Sequence, residues 1–334
     1  MAIQTRSFHE RPNPDQLVRT SGHHSVIRWA LLVAVLGLAR LASAGAVWID
    51  TDVSIGSPFR EVDDGYALVL AFHSPEIRIA GLSTSYGNAP LESTTRIARD
   101  LVRQFGASAN LKPEQVFAGA KSPAELGRST EASDRLAKIL EKDSVIYIAL
   151  GPLTNLATFL QLHPQLAGRI ERAIFLGGQT PGTNLALGSN QSFRIHDANV
   201  FKDPVAAERV LQSNIPLLLV PVTVSAELML DQNDLRALKQ RSGTAAEFLA
   251  DRSKAWLWFW THIPRTNGAP IFDALSVIIA ARPDLVSVRR SWAQMDEARN
   301  LRVLPDPTSK ARSVRVCKQI SPTAKKIVLE RLSR

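Results

Sequence analysis

Cysteine is nearly absent: Cys317 is the single one among 334 residues. That excludes an intrachain disulfide, a zinc cluster built on thiolates and a Cys-x-x-Cys redox site. Aromatic residues are few as well, at 6%, and past residue 44 no dense basic run is interleaved with them. The net charge of +9 therefore does not describe a nucleic-acid surface, and no nucleic-acid partner is expected. Part of the excess lies in residues 1–44, where Arg6, Arg11, Arg19, Arg28 and Arg40 face only Glu10 and Asp15. Long apolar runs are missing too. Trp29–Leu38 has ten residues, well short of the ~20 that span a bilayer, so no stable membrane span is expected. Arg28 precedes that run and Ala42-Ser43-Ala44 follows it, the pattern of a secretory leader cleaved near Ala44. An exported chain without disulfides fits a bacterial periplasm. The reading is a signal peptide over 1–44 and one domain over 45–334.

What is present is a core. Hydrophobic residues make up 45% and charged residues 21%, enough for a folded domain. Short apolar, β-branched runs occur at Ala46–Ile49, Ile77–Leu82, Val145–Leu150, Ala173–Leu176 and Ile215–Val220. Each is too short for a helix and is bounded by Gly, Pro, Asp or Ser. Between them lie helical stretches at Asp64–Phe72, Leu91–Gln104, Glu131–Glu141, Leu153–Leu162 and Pro204–Gln212. Strands apolar on both faces that alternate with helices predict an α/β fold: an open, doubly wound, mainly parallel, Rossmann-like sheet with helices on both faces. From about Val286 the pattern shifts to short polar strands such as Ser313–Val316 and a last helix, Ala324–Leu332. No Gly/Ser/Pro linker intervenes, so this tail is a small C-terminal extension of the same domain.

In such a sheet, ligands bind beyond the carboxyl ends of the strands. Polar residues stand there: Asp50, Thr51 and Asp52, then Thr84–Asn88, then Gly151-Pro152-Leu153-Thr154-Asn155, then Gly177-Gly178. Asp50, Asp52, Asp63 and Asp64 fall within fifteen residues. Capping and helix-dipole roles explain any one of them. Four carboxylates beside one strand end repel and raise each other's pKa. A hard cation removes the conflict. Ca²⁺ takes six to eight oxygens in loose geometry, whereas Mg²⁺ holds more water and wants strict octahedral angles. On the acidic cluster alone, Asp50-Thr51-Asp52 is equally an Asp-x-Asp phosphatase loop with Asp50 as nucleophile and Asp52 as acid.

The rest of the chain separates these readings. Gly81-Leu82-Ser83-Thr84-Ser85-Tyr86-Gly87-Asn88, then Glu92–Arg96, then Ala149–Asn155, resembles the nucleoside hydrolases, the inosine-uridine preferring ribohydrolase family. Phe175-Leu176-Gly177-Gly178, Asn199 with Asp203–Ala207, and Gly268–Leu275 continue the resemblance in the family's order over about Val47–Leu285. The phosphatase reading lacks matching Ser/Thr and Lys motifs at the later strand ends. A third reading, a non-catalytic periplasmic nucleoside-binding protein, would dispense with Asp52, which is present.

The resemblance implies calcium-dependent hydrolysis of the N-glycosidic bond of a ribonucleoside, giving ribose and free base. By that match Asp52 is the base that deprotonates water and also a calcium ligand. Asp64 is a bidentate ligand, Asp273 supplies a further carboxylate and Leu150 its main-chain carbonyl. Asp63 binds ribose hydroxyls, Asn88 and Asn199 are sugar-binding amides, and Asp197 stands where the family usually has Glu. A homo-oligomer is also expected. Three departures stand out. The Val53–Val62 loop is long, Leu176 replaces a more usual Met, and Phe272 precedes Asp273 where many members have a His for the leaving base. A purine then needs another activator, and Trp260 and His262, nearest in sequence to the pocket strand, are assigned to it. Trp256, Trp258 and Trp260 alternate, so a helix there cannot turn all three to one face. His196, just ahead of Asn199, is a further candidate for substrate contact.

Overall fold

Strand β1 (Gly45–Thr51) sets the plan of the molecule. Val47 and Ile49 enter one apolar cluster and Trp48 enters the other. With a side-chain period of two, both sheet faces must then be covered. The computed structural model describes residues 45–57, 60–180, 185–187 and 193–334; the leader expected over 1–44 lies outside them, as do Pro58 and Phe59 of the long loop.

The next strands are β2 (Ile77–Thr84), β3 (Val116–Ala118), β4 (Val145–Ala149) and β5 (Ile170–Leu176). A small antiparallel pair, β6 (Leu185–Leu187) and β7 (Phe193–Ile195), precedes β8 (Leu217–Val220), and a second, β9 (Met229–Leu230) with β10 (Ala269–Pro270), follows it. β11 (Val286–Met295), β12 (Leu301–Leu304) and β13 (Arg312–Ile320) end the series. The main sheet runs β12-β11-β13-β8-β5-β4-β1-β2-β3. Strands β1 to β5 and β8 pair in parallel, and β13 joins β8 in parallel. β11 lies antiparallel to β12 and β13. The chain builds outward from β1 to β3, then returns to the other side of β1 with β4. That reversal is the switch point where an open α/β sheet leaves a crevice.

Helices Asp63–Phe72, Leu91–Phe105, Ala274–Ala281 and Ala324–Leu332 pack on one face. Helices Glu131–Leu140, Thr154–Leu162 and Pro204–Gln212 pack on the other. The parallel, doubly wound reading of the sequence holds, with boundaries displaced by a few residues. Asp63–Phe72 is buried along its whole length, as befits a helix apolar on nearly every side. Its first turn holds Asp63 and Asp64 at the positive end of the dipole. The C-terminal helix is tied down by Arg331, which donates to Ser74 Oγ at 2.7 Å and pairs with Glu76. The tail is larger than the sequence suggested. Ser313–Val316 lies in the first half of a nine-residue strand, and β11 to β13 extend the main sheet itself. Among the described residues no helix is long and apolar enough to cross a membrane.

Candidate active site

The first aspartate of the cluster is structural. Asp50 is buried, and its carboxylate accepts hydrogen bonds from Ser83 Oγ at 2.7 Å, Asn155 Nδ2 at 2.8 Å and Tyr147 Oη at 2.9 Å. Burial still pushes its pKa up to about 6. Asn155, from the Gly-Pro-Leu-Thr-Asn motif, also accepts from Ala120 N at 2.8 Å. It thus ties the ends of β1 and β2 and the loop after β3 to the segment after β4. A carboxylate saturated by three donors is no free nucleophile, which removes the role the phosphatase reading gave Asp50.

Asp52 sits beyond the end of β1 at 1% exposure. Its Oδ2 accepts from Asn88 N at 2.8 Å and from Lys202 Nζ at 2.7 Å. The approach depends on Gly87, whose φ is +153° and where a Cβ would fall 1.8 Å from Asp52 Oδ2. Only glycine lets the Asn88 loop come so close.

Asp63, Asp64 and Asp273 form the second half of the site. All three are buried, and each offers a carboxylate oxygen within 4.8 Å of the others. Asp64 accepts from the Thr51 hydroxyl and from Asn88 Nδ2 at 3.1 Å. Asp63 Oδ1 has no hydrogen-bond partner among the described residues. Asp273 precedes the Ala274–Ala281 helix without capping it by its side chain. In contrast, Asp203 and Asp197 do cap their helices, accepting from Ala206 N and Val200 N. Burial, then the charges of the neighbouring carboxylates, raises Asp63 and Asp273 well above the usual range. Burial and then the Asp52 charge push Asp64 up to about 7. The Asp64 and Asp273 carboxylates lie close enough for each to raise the cost of charging the other.

Such a site fits a hard divalent cation. Its donors are all oxygen, one buried carboxylate oxygen lacks a partner, and the mutual repulsion has no other remedy of equal charge. Leu150, expected to give its carbonyl, faces the same cavity of about 120 Å³ as Asp63 and Asp273. That carbonyl already accepts from Asn199 Nδ2 at 2.7 Å, which leaves a second lone pair. Asn199 Nδ2 also reaches Leu176 O at 3.1 Å. The carboxylate grouping differs in one respect from the expected set. Asp63 clusters most tightly with Asp64 and Asp273, while Asp52 is engaged by Lys202.

The cavity wall includes Asn88, Asn199 and Asp197. Asp197 is held by main-chain donors, Gly178 N at 2.6 Å and Val200 N at 3.1 Å, so it shapes the loop ahead of Asn199. Trp260 and Phe272 line the cavity edge-to-face, with centroids 6.0 Å apart. His196 also lies on the wall. His262 does not. It is exposed, stacks on Trp258 at 4.9 Å and meets Trp258 O through Nδ1. Helix phase explains the split: in Lys254–His262, Trp256 and Trp260 are four apart and turn inward, whereas Trp258 and His262 are four apart and turn out.

Two charged wall residues escaped the sequence reading. Glu61, in the long loop, accepts from Trp256 Nε1 at 3.1 Å, and burial raises its carboxyl. Lys202 lies three residues after Asn199 on the helix Ala198–Lys202, a spacing that puts both on one face. Burial alone would lower its pKa, but Asp52 and the other carboxylates hold it above the ordinary value.

Residues 47–326 match the family described as inosine-uridine preferring nucleoside hydrolase. The chain belongs to that family. This nucleoside hydrolase is 30% identical over 273 residues to an uncharacterized protein of Schizosaccharomyces pombe, covering 74% of this chain and 78% of that one. It is 27% identical over 272 residues to uridine nucleosidase 1 of Arabidopsis thaliana, covering 74% and 77%. Pyrimidine-specific ribonucleoside hydrolase RihA of Klebsiella pneumoniae is 25% identical over 262 residues, covering 70% and 81%. In fold the nucleoside hydrolase is similar to a plant nucleoside hydrolase, with a TM-score of 0.71, 22% identity and coverage of 87% and 98%. It is equally similar to a purine-preferring ribonucleoside hydrolase from Gardnerella vaginalis, with a TM-score of 0.71, 21% identity and coverage of 86% and 98%. The protein is thus an enzyme, a ribonucleoside N-ribohydrolase.

Proposed function

We propose that this nucleoside hydrolase cleaves ribonucleosides with Ca²⁺ held by Asp52, Asp64, Asp273 and the main-chain carbonyl of Leu150. The observation that carries this is the convergence of buried carboxylates from both ends of the chain, with Asp63 Oδ1 left without a partner among the described residues. When bound, the ion supplies charge that lowers the pKa of water and orients ribose hydroxyls. Asp52 is the general base, because it stands beyond the end of β1 against Asn88, outside the Asp63, Asp64 and Asp273 grouping. Asp63, with its unengaged oxygen, accepts from a ribose hydroxyl, and Asn88 and Asn199 hold the sugar's other hydroxyls. The anionic wall stabilises the positive charge that develops on the sugar as the N-glycosidic bond breaks.

The base then lies against Trp260 and Phe272, whose faces offer stacking in place of a histidine at position 272. His196 is the wall residue suited to pass a proton to it. We further propose that the chain is exported to a bacterial periplasm, its leader cleaved near Ala44, and that it assembles as a homo-oligomer. N-terminal sequencing of secreted protein and light scattering test these two points. The catalytic reading is tested by incubating the enzyme with purine and pyrimidine ribonucleosides and measuring free ribose and free base. Equimolar ribose and base from at least one of them is expected. Release of phosphate from phosphate esters, with no ribose from any nucleoside, would overturn it.

A further inference from the structure

Lys202 has no place in the chemistry above, yet it sits at its centre. Its ammonium donates to Asp52 Oδ2 at 2.7 Å and to Asn88 Oδ1 at 3.0 Å, and its side chain is 18% exposed. The surrounding backbone is fixed, so this is no swinging surface lysine. Asp197 caps its helix, Asn199 grips the Leu150 and Leu176 carbonyls, and Tyr86 Oη donates to Lys202 O at 3.4 Å. Only the four-carbon side chain is free to move.

Two demands on Asp52 conflict. A base must be free to take a proton, and a metal ligand must turn a lone pair to the ion; an ammonium at 2.7 Å opposes both. A fixed cation beside a sugar that becomes cationic also raises the barrier. Withdrawal of Lys202 from Oδ2 would open both oxygens of Asp52 to these roles. While it stays, it supplies the positive charge that the cluster otherwise lacks.

We propose that Lys202 is a built-in counter-cation that competes with the divalent ion for the carboxylate cluster, so that metal entry requires the ammonium to withdraw from Asp52. The inference rests on the calcium reading of the same site. It makes the metal-free enzyme a partly neutralised state and weakens the enzyme's hold on Ca²⁺. Withdrawal toward Asn88 Oδ1 keeps one hydrogen bond of the two, which makes the exchange feasible without unfolding the helix.

The test is Ca²⁺ titration by calorimetry of metal-stripped wild-type enzyme, Lys202→Met and Lys202→Gln, with thermal melts in chelator and in Ca²⁺. Methionine keeps the length without the charge, and glutamine keeps a hydrogen-bond donor should methionine misfold. Removing a unit charge this close to the ion is expected to tighten Ca²⁺ binding by about tenfold or more. The variants should also melt lower than wild type in chelator and gain more from Ca²⁺. Calcium binding by wild type with unchanged or weaker affinity in both variants would overturn the role of Lys202 and leave the calcium reading standing. No binding by any of the three proteins would overturn both.

Discussion

Replacing Asp52 by asparagine, assayed at saturating Ca²⁺, separates its basicity from its places in the fold and among the proposed metal ligands. The side chain keeps its shape, and an amide oxygen can still accept from Asn88 N and Lys202 Nζ, the two donors now on Oδ2. The other oxygen has only a 3.5 Å contact with Asn88 Nδ2, so an NH₂ there displaces little. One negative charge is lost beside Asp64 and Asp273, which relieves the repulsion that raises both. That relief is offset because Lys202 loses its charged partner, so folding stability should fall by roughly 1–3 kcal/mol. Catalysis should suffer more, because an amide cannot take a proton from water. Positioned general bases contribute ~10²–10⁴-fold, or roughly 3–5 kcal/mol of barrier at about 1.4 kcal/mol per tenfold. The assay is kcat from ribose release, with nucleoside affinity measured by calorimetry on the same preparation. A fall of that size in kcat with binding retained is expected. A rate within about tenfold of wild type would refute the assignment of the base to Asp52.

Asp50→Ala should act on the fold instead: three buried donors lose their acceptor, at roughly 1–3 kcal/mol each, and denaturant unfolding should show a loss of about 3 kcal/mol or more. A loss under about 1 kcal/mol would contradict the clamp described for Asp50. Trp260→Ala should lower turnover of inosine much more than that of a nitrophenyl riboside, whose leaving group needs no activation, whereas His262→Ala should leave both rates near wild type. Equal losses on the two substrates for Trp260→Ala would place activation of the leaving base elsewhere. Stability of the metal-stripped enzyme should fall as pH rises. Asp64 binds its proton more tightly folded than unfolded, with a pKa of about 7 against 3.8, so its contribution is full below about pH 4 and lost through about pH 7. The limit for that one group is roughly 4 kcal/mol. Thermal melts across this range should show the decline in chelator and its suppression by Ca²⁺; a rise in stability with pH in chelator would contradict the raised pKa.

Much of the architecture was legible in the sequence because both faces of each parallel strand are apolar. Val47, Trp48 and Ile49 have no polar alternate, and that requires helices above and below. The C-terminal strands were harder: β11 and β13 alternate polar and apolar, which marks a strand but not its partner, so the extension of the main sheet had no local signal. At the site, Asp52, Asp63, Asp64, Asn88, Asn199 and Asp273 were picked out by motifs in a familiar order; the fold lines one cavity with Asp63, Asn88, Asn199 and Asp273 and sets Asp52 and Asp64 against Asn88. Lys202 and Glu61 were not. A lone lysine on a polar segment reads as solvated, and only the fold places it 2.7 Å from an aspartate 150 residues earlier. His262 failed for the opposite reason. Proximity in sequence to Phe272 suggested the pocket, but side-chain direction follows the helical turn, and two residues past Trp260 is the outer face.

Crystals of the wild-type enzyme grown with excess Ca²⁺ test the central claim most directly, through an anomalous difference map. The account predicts one strong peak at the end of β1, with oxygens of Asp52, Asp64 and Asp273 and the Leu150 carbonyl at about 2.3–2.6 Å and the Lys202 ammonium withdrawn from Asp52. A map without a peak among these residues, with Lys202 still on Asp52, would contradict it.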